Sequence, residues 1–219
     1  MDFTFETHDR TTRLEKYEWD HVWWEDTDNT TSPRVLYIGD SISCGLRRPI
    51  NCVADGAILF DNFATSKALD NPYFKESILN FAKQQPHCEA VLFNNAAHGF
   101  HLADETDFRA HYERMCVFLK EQFCGKPVIL LSGSYVKSDR CARMKKRSEI
   151  AEELAEKYGF YYIDVFSKTA EMKDRLSDDG IHFTEEGYEI LADFLYKKVK
   201  EIGLNPPETG ENGFAYPFK

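Results

Sequence analysis

The chain has no stretch of eighteen consecutive apolar residues, so no transmembrane helix is expected. Its start, Met1-Asp2-Phe3-Thr4-Phe5-Glu6, lacks the basic segment and apolar run of a secretory signal, and a cytoplasmic location is the expectation. Cations are in short supply: 27 Lys and Arg against 37 Asp and Glu give a formal net charge of −10. Nucleic acid and anionic membrane surfaces both demand a basic face, so neither is an expected partner. The six cysteines, at positions 44, 52, 88, 116, 124 and 141, form no C-x-x-C pair. Zinc and thioredoxin-like chemistry are thereby disfavoured; no metal or cofactor is expected, and the cysteines read as reduced thiols. There is no Pro/Gly/Ser-rich linker, low-complexity tract or internal repeat, and 219 residues suffice for one well-buried α/β domain.

Apolar runs alternate with helical periodicities. Strands are expected at 34–38, near Asn51–Ala54, at 90–93, at 128–131 and at 160–165. Between them, helices are expected around 73–84, across Phe108, Tyr112, Met115 and Leu119, and over 142–158 with Gly159 as its left-handed cap. Asp61-Asn62-Phe63-Ala64-Thr65-Ser66-Lys67 reads as a loop, and a last helix follows Thr184 as N-cap. This alternation predicts an α/β fold: a three-layer α/β/α sandwich of flavodoxin-like type, with a central parallel sheet of about five strands. Residues 12–32, rich in Trp, Tyr and acids, read as a short helix or an ordered extension packed on the domain, with a sugar-stacking platform as the functional alternative. The expected division is an extension over 1–32, the main domain over 33–204 and a tail over 205–219.

Two short segments carry the chemistry. Gly39-Asp40-Ser41 follows the apolar run Val35-Leu36-Tyr37-Ile38, and Asp179-Gly180-Ile181-His182 sets a carboxylate three residues before an imidazole. A serine hydroxyl is a weak nucleophile that needs a base within reach and a third group to orient that base. Ser41, His182 and Asp179 suit these roles. Ser41 falls where a parallel strand meets a helix, so its own N–H is also placed to hold an oxyanion. Gly180 eases the turn that brings Asp179 onto the ring of His182.

With Gly39-Asp40-Ser41-Ile42-Ser43 and Asp179-Gly180-Ile181-His182-Phe183-Thr184-Glu185-Glu186-Gly187-Tyr188, the chain resembles the SGNH, or GDSL-type, esterase and lipase superfamily over roughly residues 33 to 200. The resemblance implies Ser41 as nucleophile, completed by Asp179 and His182. It also implies an oxyanion hole built from Ser41, a residue after the second strand and a residue after the third. At the second place the family's glycine is absent, leaving the N–H of Ser66 or Lys67. At the third, Phe93-Asn94-Asn95-Ala96-Ala97-His98-Gly99-Phe100-His101 stands in for Gly-x-Asn-Asp, with His98 at the asparagine's position and Asn95 competing. A structural or metal-binding pair is the other reading of His98 and His101.

The expected function is a serine esterase that removes a small acyl group, acetyl in the first instance, through an acyl-enzyme on Ser41. The partner is a small-molecule or glycan ester; the polar chain, with a mean hydropathy of −0.50 and no long apolar lid segment, leans toward a carbohydrate. Lysophospholipase or thioesterase activity is the alternative within the superfamily, and a non-catalytic ligand-binding protein the alternative outside catalysis. Gly39-Asp40-Ser41-Ile42-Ser43-Cys44-Gly45 lacks the spacing of a phosphate-cradling loop, which disfavours a mononucleotide binder. The sequence does not specify an oligomeric state.

Overall fold

Strands buried on both faces set the architecture. In the computed structural model, which describes residues 13–84 and 88–204, β2 (Arg34–Gly39), β3 (Leu59–Thr65), β4 (Cys88–Phe93) and β5 (Val128–Leu131) carry scarcely any exposed residue. With β1 (Asp20–Trp23) and β6 (Tyr161–Ile163) they form one six-stranded sheet in the order β1-β3-β2-β4-β5-β6. Every pairing is parallel except that of β1, which runs antiparallel to β3 at the edge. Without β1, the order is the 2-1-3-4-5 of doubly wound sheets.

Side chains alternate to opposite faces along each strand. Leu36, Ile38, Val91, Phe93 and Leu130 join the core under α2 (Phe74–Ala82), α3 (Arg109–Gln122) and α4 (Cys141–Tyr158). Val35, Tyr37, Leu92, Ile129 and Leu131 join the opposite core, under α1 (Ser41–Ala54), the short α5 (Val165–Ala170) and α6 (Glu185–Glu201). Each large side chain so buried contributes about 1.5–3 kcal/mol, and the three-layer expectation is met.

The expected number of parallel strands, about five, is met by β2–β6, and part of the aromatic and acidic stretch before residue 33 is an ordered extension that adds β1 as a sixth, antiparallel edge strand: Asp20, His21, Val22 and Trp23 pair with Thr65, Ala64, Phe63 and Asn62. Three expectations are corrected. Asn51–Ala54 is the last turn of α1 and not a strand; the helix runs on through Pro49, which cannot donate to the Gly45 carbonyl four residues back. Residues 61–65, expected in a loop, lie in β3, because the buried carboxylate of Asp61 is neutralised within the sheet by Arg34 at 3.0 Å. The strand expected over 160–165 is only Tyr161–Ile163, since Asp164 caps α5 by accepting the N–H of Ser167 at 2.9 Å. Residues 1–12 of the expected extension and the tail 205–219 lie outside the described residues.

The layer bearing α1 and α6 has its closest approach at Gly45. A Cβ there would lie 2.2 Å from Cζ of the Tyr188 ring, so α6 packs on α1 because position 45 has no side chain. Substituting Gly45→Ala should therefore destabilise the fold, although alanine is the better helix former by up to about 1 kcal/mol. The overlap with a ring wedged on Phe183 outweighs that gain, and overpacking of this kind costs about 1–3 kcal/mol. Chemical denaturation checks it: the midpoint should fall, with the slope unchanged.

Candidate active site

Ser41 is delivered by the end of β2. Asp40 is the N-cap of α1, its Oδ1 accepting the N–H of Ile42 at 2.9 Å, and its carbonyl accepts the Ser43 hydroxyl at 2.7 Å. As the first helical residue, Ser41 has an N–H with no intrahelical acceptor, at the positive end of the helix dipole. Asp40 is buried, and burial raises its carboxyl above the usual range against the pull of His98, the Ile42 N–H and His182.

The segment before α6 delivers the base. Ser177 N–H donates to the His182 carbonyl at 2.8 Å and Gly180 N–H to the Ser177 carbonyl at 2.9 Å, closing a tight loop in which Gly180 adopts a φ of +70°. Lys137 N–H donates to the Gly180 carbonyl at 2.7 Å, tying the loop to the segment after β5. Within the loop, Asp179 Oδ1 accepts the N–H groups of Ile181 and His182 at 2.8 and 2.9 Å and the Ser177 hydroxyl at 2.8 Å. Asp179 Oδ2 lies 2.6 Å from His182 Nδ1, and His182 Nε2 lies 2.8 Å from Ser41 Oγ. The hydrogen bond from His182, with those from the Ile181 and His182 N–H groups and Ser177, holds the Asp179 carboxyl well below the usual range. Asp179 therefore stays ionised throughout the neutral range and keeps Nδ1 protonated, leaving Nε2 to accept the serine proton.

The other side of Ser41 is bounded by the loops after β3 and β4. Here one sequence expectation is corrected. The Ser66 N–H donates to the Trp19 carbonyl at 3.1 Å and its Oγ accepts the Trp19 N–H at 2.8 Å, so β1 and its lead-in occupy that donor. Lys67 N–H is likewise taken, by Thr65 Oγ1 at 3.0 Å. Asn95 is fully buried and its amide donates to the Lys67 carbonyl at 2.9 Å, which makes it a strut between the two loops. His98 differs: its Nε2 is shielded from solvent with no partner among the described residues, and its Nδ1 is 3.9 Å from Glu15 Oε1, too long for a hydrogen bond. His101 does not pair with His98; its Nε2 lies 2.8 Å from Asp70 Oδ2.

Arg147, which the sequence reading did not single out, braces the His98 loop. Its guanidinium is fully buried and donates to the carbonyls of Ala96, His98 and Gly99 and to Asp104 Oδ1. Arg143 adds bonds to Asp104 and to the carbonyls of Phe100 and Leu102. The available signal was positional: Arg147 stands on the face of α4 that also buries Met144, Ile150, Ala151 and Leu154. A cation at a core-facing helical position requires buried partners.

Beside Ser41 opens a small cleft of about 40 Å³ lined by Phe100, Ser134, Val136, Ser138 and Arg140. Solved structures of similar fold cover most of the chain. The lipase/acylhydrolase from Enterococcus faecalis matches with a TM-score of 0.63 at 19% identity, over 81% of this chain and 100% of that one. The C-terminal catalytic domain of peptidoglycan O-acetyltransferase A from Streptococcus pneumoniae, solved with a methylsulfonyl adduct, matches at 0.61 and 18%, over 80% and 97%. A variant acetyl xylan esterase from Geobacillus stearothermophilus matches at 0.58 and 16%, over 82% and 98%. The fold is shared with these enzymes. At such identities it is the fold that is common, so the SGNH resemblance holds for architecture and the chemistry rests on this chain's own residues. No protein-family model and no curated protein sequence matches the chain.

Replacing Arg147 by methionine keeps most of the volume and strands the carbonyls of Ala96, His98 and Gly99, while Asp104 keeps Arg143. Each acceptor left unpaired costs about 1–3 kcal/mol, so the Arg147→Met protein should melt at least several degrees below the parent by calorimetry.

Proposed function

We propose that the protein is a serine esterase that removes a short acyl group from an ester, with Ser41 as nucleophile, His182 as general base and acid, and Asp179 as the orienting carboxylate. The observation that carries this is the continuous hydrogen-bonded line from Asp179 Oδ2 through both nitrogens of His182 to Ser41 Oγ, at 2.6 and 2.8 Å. Such spacing lets the hydroxyl proton pass to Nε2 as Oγ attacks the ester carbonyl.

In this mechanism the tetrahedral oxyanion accepts hydrogen bonds from the Ser41 N–H and from Nε2–H of His98. His98 Nε2 has no partner among the described residues and so is free to donate, although it is shielded in the free protein and the substrate must displace the side chains over it. Collapse of the intermediate expels the alcohol with the proton from His182 and leaves the acyl group on Ser41. Water, deprotonated by His182, then attacks the acyl carbonyl, and the carboxylic acid departs as the proton returns to Oγ. Asp179 remains ionised throughout.

The acyl group is small and the alcohol a carbohydrate in this reading. Two features support it: the confined cleft beside Ser41, in which Phe100 and Val136 offer an apolar wall and Ser134 and Ser138 hydroxyls, and the similarity in fold to proteins described as acetyl xylan esterase and peptidoglycan O-acetyltransferase. A cleft this small beside the nucleophile favours a short acyl group over a long one, which sets lysophospholipase activity behind a deacetylase.

Hydrolysis of p-nitrophenyl acetate tests the proposal. The parent protein should turn it over and react with a fluorophosphonate probe, and Ser41→Ala should lose both; undiminished hydrolysis by Ser41→Ala discards the assignment. His98→Ala should lower kcat on the order of a hundredfold to a thousandfold with a smaller change in KM, as for loss of one oxyanion donor. Asp179→Asn should lower kcat at least as much while shifting the melting temperature little, because its carboxylate is about half exposed and an exposed pair contributes at most about 1 kcal/mol.

A further inference from the structure

Three guanidinium groups, those of Arg140, Arg143 and Arg147, surround the ring of Phe100, at 4.6, 5.1 and 4.8 Å from its centroid. One carboxylate, Asp104, serves two of them. Asp104 Oδ1 and Oδ2 accept from Arg143 Nη2 and Nε, at 2.7 and 2.9 Å, and Oδ1 also accepts from Arg147 Nε at 2.9 Å. Arg140 makes no ion pair among the described residues; its backbone N–H is held by Ser138 Oγ at 3.2 Å, and the neighbouring Asp139 makes no ion pair with it. Arg140 also lines the cleft that contains Ser41.

Like charges crowded on one ring repel, and the third has no counter-ion among the described residues. The Phe100 ring covers one face of the Arg140 guanidinium and leaves its in-plane N–H groups open, in a fork that matches a carboxylate. Phe100 is itself fixed, since its carbonyl accepts from Arg143 at 2.9 Å. A chain of net charge −10 would otherwise repel an anionic substrate, so a local cation at the cleft mouth discriminates by charge. Lys137, exposed at the same rim with its backbone bound to the Gly180 carbonyl of the Asp179 loop, adds a second positive charge and makes no ion pair among the described residues.

We infer that Arg140 reads a carboxylate on the alcohol side of the substrate, so that the ester hydrolysed is an O-acyl group on an acidic sugar. This rests on the esterase reading and adds the class of alcohol to it. The counter-ion that Arg140 lacks among the described residues is supplied by the substrate itself, which arrives with its carboxylate on Arg140 and its acyl carbonyl over Ser41.

The test compares the O-acetyl ester of a uronic acid methyl glycoside with that of the matching uronamide, which is neutral and nearly isosteric. The parent protein should favour the acid by about tenfold in kcat/KM, and the preference should shrink as salt rises from about 20 mM to about 500 mM. In Arg140→Gln the acid-to-amide ratio should fall close to one; a ratio cancels any general loss of activity. Equal kcat/KM for acid and amide in the parent overturns the inference, as does a ratio that Arg140→Gln leaves unchanged. Should that variant not fold, a salt-independent ratio in the parent overturns it as well. Hydrolysis of p-nitrophenyl acetate separates the two readings. Turnover of it without acid preference sinks this inference alone, whereas no turnover of any ester sinks the esterase reading and this inference together.

Discussion

Everything at the site depends on the contact of α6 with α1. Ser41 and His182 stand 141 residues apart, and their 2.8 Å hydrogen bond exists because the helix that follows His182 lies against the helix that starts at Ser41. The Tyr188 ring occupies the space a side chain at position 45 would fill, and meets Phe183 edge to face at 5.6 Å. Phe183 is the residue next to His182, so the packing is passed directly to the base. Thr184 continues the brace, with its N–H donating to the Arg175 carbonyl at 2.8 Å and its Oγ1 capping Gly187 at 3.2 Å. The imidazole is placed by aromatic packing and helix capping, and its own polar bonds then set its tautomer.

The opposite wall is built differently. Residues 15–20 run across the ends of β3 and β4 and take up the polar groups there: Trp19 bonds Ser66, Asp20 pairs with Lys67 at 2.6 Å, and Glu15 accepts the Gly99 N–H at 2.7 Å. From beneath, Arg147 binds the carbonyls of the same loop. Backbone that might have faced an oxyanion is thus occupied by structure, and the loop is rigid without a glycine at the end of β3. What this leaves without a protein partner among the described residues is His98 Nε2, in a loop held by its backbone, and on the proposed reading that loop, and not the side chain, supplies the precision of a donor.

The sequence made the layers legible and the edges less so. Continuous apolar runs such as Ala90–Phe93 and Val128–Leu131 can only be satisfied by burial on both faces, and they are buried. The Ser41 and Asp179-x-x-His182 segments were readable because strand ends and helix caps have local signatures, Thr184 among them. β3 was hidden by Asp61 and Asn62, which look like loop residues until Arg34 arrives from β2 and Asn62 reaches toward the carbonyls of Tyr37 and Ser43 at 3.4 and 3.3 Å. β1 was hidden because an edge strand buries little and its pattern is weak; Val22 and Trp23 are largely exposed. Ser66 was misassigned for the same reason, since its donor is taken by the segment leading into a strand that local periodicity does not announce. Such features are tertiary, and nothing within a few residues encodes them.

Two carboxyls neighbour the histidines, and their surroundings push them in opposite directions. Asp40 feels both His98 and His182, yet it is buried, and loss of hydration outweighs those attractions and raises its carboxyl. Asp179 is about half exposed and accepts hydrogen bonds from one ring nitrogen, two backbone N–H groups and a hydroxyl, so its charge is stabilised. A histidine that must gain a proton during the reaction needs a partner that is already negative and stays so. The surroundings of Asp179 favour that charge and those of Asp40 oppose it, although Asp40 is adjacent to Ser41 in the chain. Burial therefore fits Asp40 to cap α1 and aim the Ser41 N–H, while exposure and four donors fit Asp179 to support the imidazolium. The division of labour follows from solvation, independently of how near each carboxyl lies to the nucleophile in sequence.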